Sequence, residues 1–167
     1  TVHEYAMNSD DLSSATLESS ATISEVTSGI FCIEVVGDYL FLGDDSTLHK
    51  LDISSGVGAY THSGSVSLNT RYTGDQLINL FNPKAPDFLE RDILYCSGRY
   101  SGLVFKVIAG PGVDIASSGI ENVCGRIPDT SGIGLFAFDN TGKTVVGCQV
   151  KSVDGSFTPH FRITTLV

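Results

Sequence analysis

SGIFCIEVVGDYLFLGDD, residues 28–45, holds two apolar runs, FCIEVV and DYLFL, joined at Gly37-Asp38 and halted at Gly43-Asp44-Asp45. Each run is too short for a helix of ordinary length and is bounded by residues that supply turn geometry. Near-continuous apolar runs of this size suit strands covered on both faces. The stretch therefore predicts a hairpin of buried strands, in which Cys32 is core and the Gly-Asp pairs are turns.

The same signal recurs outward from it. Strands are expected at 21–26 (ATISEV), 30–36, 38–42, 47–53 (TLHKLDI), 76–81 (QLINLF) and 92–97 (DILYCS). They continue at 103–109 (LVFKVIA), 133–139 (IGLFAFD), 143–150 (KTVVGCQV) and 159–167 (PHFRITTLV). Gly, Asp, Asn or Ser fill nearly every gap. FDNTGKT, 138–144, reads as a hairpin because Asn and Gly tolerate positive φ. In TLHKLDI, Leu48, Lys50 and Asp52 share one face and His49, Leu51 and Ile53 the other. Helix signals are thin: DQLINLF, 75–81, admits a short helical turn capped by Asp75 and stopped by Pro83. The expected fold is all-β, a single-domain antiparallel β-sandwich or jelly-roll-like barrel with very little helix.

Upstream, TVHEYAM alternates like one strand, and NSDDLSSATLESSAT, 8–22, is polar and Ser-rich like a linker. Residues 1–20 thus read as the end of a preceding domain plus a hinge, and 21–167 as the sandwich domain. The chain begins at Thr1 rather than Met, which reads as a fragment or a processed product.

Composition narrows the function classes. The chain has 167 residues, enough for a sizeable core, and its 17% charged residues fall below the roughly 25% usual for soluble domains. A net charge of −9 repels phosphate backbones and anionic lipid surfaces, so no nucleic-acid partner is expected. No apolar run approaches the length of a membrane-spanning helix, so no membrane insertion is expected. Cys32, Cys96, Cys124 and Cys148 are 64, 28 and 24 residues apart and lack the short spacing of a zinc or redox motif; they read as buried, reduced side chains, with one or two disulfides as the alternative.

Catalytic constellations are missing from the pattern. His3, His49, His62 and His160 lack the i, i+4 or HxH spacing that sets two imidazoles on one metal, and there is no GxSxG elbow. AGPGVD, 109–114, has the glycines of a phosphate cradle but no Lys and no following helix. The chain is therefore expected to be no enzyme and to need no cofactor. Asp44 and Asp45 read as solvated turn acids, with calcium as the metal they would suit if the turn folded back. Glu34, inside an apolar strand, is expected to face solvent or meet a basic side chain. A small echo, RYTGD at 71–75 and RYSGL at 99–103, sets Arg71, Tyr72, Arg99 and Tyr100 in turn contexts, and Arg and Tyr are favoured in recognition surfaces.

The order of a TVHEY strand, a polar Ser-rich hinge and then the Gly-apolar-Cys-Ile-x-Val strand of GIFCIEVVG resembles the join between shell and protruding domains in tombusvirus-like capsid proteins. The length suits the larger projections of nodavirus-like, tetravirus-like and sinaivirus-like relatives. The resemblance covers about thirty residues, and it implies a β-sandwich projecting from the virion surface, associating with copies of itself in dimers or trimers. Its loops, with Arg71, Tyr72, Arg99 and Tyr100, would meet a host receptor or glycan. The alternative reading is a carbohydrate-binding or adhesin-type β-sandwich, extracellular or at a phage tail tip, using Tyr72 and Tyr100 in a shallow site. A propeller blade is disfavoured, because no second copy of GDYLFLGDDSTLHKLDI follows at the required period.

Overall fold

The computed structural model describes residues 1–7, 14–67, 76–82, 93–98, 104–108, 110, 112–117, 121–124, 135–138, 144–153 and 156–165. Every regular element among them is a strand, and every strand pairing is antiparallel, so the chain is all-β.

The opening stretch forms β3 (Cys32–Val36) and β4 (Tyr39–Gly43), joined through Gly37 at φ 57°. β5 (Thr47–Asp52) and β6 (Thr61–Ser67) continue the meander into a four-stranded sheet in the order β3-β4-β5-β6. A second four-stranded sheet runs β10-β9-β8-β7, from β7 (Leu77–Phe81), β8 (Ile93–Gly98), β9 (Val104–Ile108) and β10 (Glu121–Cys124). β11 (Leu135–Phe138), β12 (Thr144–Val153) and β13 (Ser156–Thr165) form a three-stranded meander. β11 and β12 pair antiparallel with Phe138 opposite Val145, while residues 139–143 of the expected FDNTGKT hairpin lie outside the described residues.

Strict alternation sorts the β3–β6 sheet into two covered faces. On the inner face, Cys32, Phe41 and Leu48, with Val36, Tyr39 and Val66, share one apolar cluster with Leu80, Leu94, Cys96, Phe105, Val107 and Ile115. Both four-stranded sheets thus feed one core. On the outer face, Leu40, Leu42 and Leu51 form a second cluster covered by Val2, Ile23, Val26, Ile53 and Tyr60. This double coverage explains why DYLFL reads as a continuous apolar run; FCIEVV does not share it, because Ile33 and Val35 on the outer side of β3 are exposed. Burying both faces removes more apolar area from water than a one-sided sheet can, at roughly 25 cal/mol per Å².

Two local expectations are corrected. Part of the polar stretch at 8–22 is not linker: β2 (Ala15–Ala21) pairs with β1 (Val2–Met7), with a register shift at Glu4/Tyr5. Its side chains are mostly exposed, so pairing and docking hold it extended rather than its own hydrophobicity. The docking is specific: Tyr60 donates its hydroxyl to the Glu4 carboxylate at 2.6 Å, and the Gly58 N–H reaches the same oxygen at 3.3 Å. ATISEV is not a strand beyond Ala21; Ile23 to Val26 is a turn closed by Val26 N–H to Ile23 C=O at 3.2 Å, which lays both apolar side chains on the outer cluster. QLINLF forms strand β7, as expected of it, and the alternative of a short helical turn falls away.

Candidate functional site

The β4–β5 turn is built by Asp44. Its N–H donates to Thr47 C=O at 3.0 Å, and its carboxylate accepts the Thr47 N–H at 3.1 Å, closing the turn with a side chain. The expectation of a solvated acid fails here: Asp44 is only 5% exposed. What compensates its burial is His49, whose Nε2 lies 3.1 Å from the second carboxylate oxygen, Oδ2. Asp45 accepts the Gln76 amide at 3.0 Å. The two carboxylates that were candidates for calcium therefore each have protein donors, and Asp44 faces an imidazole, a ligand type calcium does not favour.

His49 sits on the outer face of β5, buried at 4% exposure. The β5–β6 register places His62 beside it, with a shift at Lys50/Leu51 that advances β6 by one residue. His49 Nδ1 and His62 Nε2 lie 3.3 Å apart, and the rings are tilted by 57° with centroids 5.5 Å apart. A carboxylate can only accept at Nε2, so the proton of neutral His49 is on Nε2 and its Nδ1 carries a lone pair. His62 then donates from Nε2. The result is a chain, Asp44 to His49 to His62, running from a buried turn to a half-buried imidazole.

This chain is the site that spacing rules missed. His49 and His62 are thirteen residues apart, and only strand pairing joins them. Glu25, on the turn that covers the outer face, carries a carboxyl held below its usual range, first by the Ser24 hydroxyl at 2.9 Å, with smaller contributions from both imidazoles. The group opposite His49 Nδ1 is another imidazole, so these three side chains can hold and pass a proton along their hydrogen bonds.

On the inner face Lys50 is buried at 2% exposure. Its ammonium donates to Gly110 C=O at 2.8 Å and Val113 C=O at 3.1 Å and lies 4.1 Å from the Tyr39 ring centroid. Charge-assisted bonds to carbonyls and the ring face offset its desolvation. Lys50 thus holds Gly110 and the segment 112–117, which delivers Ile115 to the core. Within AGPGVD, the Gly110 and Val113 carbonyls serve as anchor points for a buried lysine.

A third feature lies on β3. Ile33 (57% exposed) and Val35 (49%) point outward, and Phe31 (43%) continues the same row, held in register by Phe31 N–H to Gly43 C=O at 2.8 Å. β3 ends its sheet, so the row occupies the rim of the outer face. Glu34, pointing the other way, is half-buried on the Phe41 face.

Cys32 and Cys96 are buried thiols outside any disulfide, and burial pushes the Cys32 thiol up to about 12. Arg71, Tyr72, Arg99 and Tyr100 lie outside the described residues. The chain matches no protein-family model and no curated protein.

Proposed function

We propose that the chain is a surface module that joins copies of itself, the projection of a small icosahedral capsid, and presents loops to a host receptor or glycan. The observation that carries this reading is the outward row Phe31, Ile33 and Val35 on the end strand β3. Exposed apolar side chains set singly are ordinary, but three in line on one strand form a contiguous patch with no charge between them on that face. An acidic chain of net charge −9 repels its own copies, so a patch that associates must supply apolar burial. A twofold axis beside an end strand makes the same row meet itself, as in a closed symmetric dimer. Individual contacts of this size are weak, and a shell multiplies them through effective concentration. The acidic composition suits an outward-facing position, away from a packaged genome.

The test is sedimentation equilibrium of the purified chain at rising concentration, beside the double variant Ile33→Lys, Val35→Lys. Both side chains are half exposed, so the variant is expected to fold. A reversible dimer or trimer in the wild type that becomes monomeric in the variant supports the reading; a wild type that stays monomeric at millimolar concentration overturns self-association through this row. Attachment is tested separately with alanine at Arg71, Tyr72, Arg99 and Tyr100, which is expected to reduce cell binding and leave assembly unchanged.

A further inference from the structure

We infer that the His49–His62 contact is an acid-sensitive clasp that ties the start of β6, and through Tyr60 the β1–β2 hairpin, to the outer face, and that opens when the pair takes up a second proton. The bond itself is the first argument. Two imidazole nitrogens 3.3 Å apart share one hydrogen and one lone pair. His49 cannot offer its other nitrogen, because Nε2 is engaged by Asp44 at 3.1 Å. A first proton goes to His62 Nδ1, outside the bond, and leaves the bond charge-assisted. A second must go to His49 Nδ1, the acceptor. Two N–H groups and two positive charges then face one another, and the bond is gone.

Position is the second. The β5–β6 ladder breaks step here: Lys50 pairs with Gly64 and Leu51 with His62, leaving Ser63 as the extra residue. A bulge of this kind locally disrupts the backbone ladder, and the imidazole bond crosses from β5 to β6 beside the disruption. Tyr60, two residues before His62, packs on the outer cluster and donates its hydroxyl to Glu4 of β1 at 2.6 Å. Loosening the start of β6 therefore loosens the seat of the hairpin.

The charged surroundings are the third. The β4–β5 turn presents Asp44 to the pair, and the turn at 23–26 presents Glu25, which lies within electrostatic reach of both rings. On the neighbouring strands, β4 sets Leu42 opposite His49 and β6 sets Ser65 opposite it, so neither adds a charge there. Lys50, next along β5, is turned to the inner face. The two carboxylates favour the first charge on the pair, and they leave the clash between two N–H groups in place.

The experiment compares urea unfolding of the whole chain and of His62→Gln between about pH 6 and 5, below the ordinary imidazole range and above that of carboxylates. Unfolded, the two histidines bind two protons; folded and clasped, the pair holds one. Stability is therefore lost as pH falls, and the unfolding equilibrium constant is expected to rise by up to about tenfold per pH unit. In His62→Gln the amide donates to neutral His49 and turns its oxygen to protonated His49, so this rise is expected to vanish. His3 and His160 are common to both proteins and cancel. In the wild type, amide hydrogen exchange corrected for its intrinsic pH dependence is expected to accelerate in β6 and β1–β2 ahead of β8 and β9. Acid sensitivity of His62→Gln equal to or greater than that of the wild type overturns the proposal. So does wild-type exchange that accelerates uniformly over these strands, a readout that needs no variant. The clasp stands apart from the assembly reading, since it lies on β5 and β6 and the apolar row on β3.

Discussion

Two side chains make the chain sensitive to alkali in a calculable direction. Burial raises the Cys32 thiol to about 12, and burial followed by the Glu4 carboxylate raises the Tyr60 hydroxyl to about 12. In the unfolded chain both ionise at lower pH, near their ordinary values. A folded pKa above the unfolded one contributes stability that is complete below the unfolded pKa and is lost as pH climbs to the folded one. Unfolding in urea is therefore expected to show a plateau at about pH 7 to 8 and a decline between about pH 9 and 12. Cys32→Ala is expected to flatten the lower part of that decline and Tyr60→Phe the upper part. A decline of unchanged shape in both variants would assign it to other groups. At this scale the sequence was readable where chemistry is local. A Cys inside FCIEVV is core because its neighbours are apolar. Asp44 misled because its burial depends on His49, five residues on and turned toward it by the β4–β5 turn.

At the scale of the element, β3 and β4 were legible because their residues are apolar, and β5 because Leu48 and Leu51 mark its two faces. β6 was not: THSGSVS has one large apolar residue, Val66, and is held as a strand by its ladder to β5. β2 and β10 went unread for the same reason, being polar segments whose extended form is dictated by partners. The histidine pair was lost with β6, since without that strand nothing brings His62 to His49. Gly64 shows how tightly β6 is fitted. It sits beside the register shift at φ 133°, opposite Lys50, and a Cβ there would stand 3.1 Å from Ile115 Cγ2. Gly64→Ala meets both backbone strain and a wall of the core, and is expected to cost about 1–3 kcal/mol in urea unfolding. Because Ile115 lies on the segment that Lys50 holds, proteolysis within 112–117 is expected to accelerate in the same variant. A Gly64→Ala protein as stable as the wild type would mean that the shift at Lys50/Leu51 relaxes without disturbing the core.

For the whole molecule, the balance between charge and apolar surface decides how copies meet. Every chain carries −9, and the row on β3 carries no charge on its outward side. If association depends on that row, salt acts mainly by screening repulsion between the acidic bodies. The screening length is about 30 Å at 0.01 M and about 8 Å at 0.15 M, so most of the effect falls in that range. The self-association constant is therefore expected to rise with salt from 0.01 to 0.15 M and to level off above it. Acidification toward the isoelectric point of about 4.6 works in the same direction by removing charge. An interface held instead by complementary charges has the opposite sign, since salt screens attraction as readily as repulsion. Sedimentation equilibrium across a salt series thus separates the two, and Ile33→Lys, Val35→Lys provides the internal control. That variant lowers the negative charge of each copy by two and yet is expected to associate less, because the repulsion it relieves is general and the apolar contact it removes is local. Stronger association in the double variant at low salt would place net charge, not the β3 row, in control of assembly.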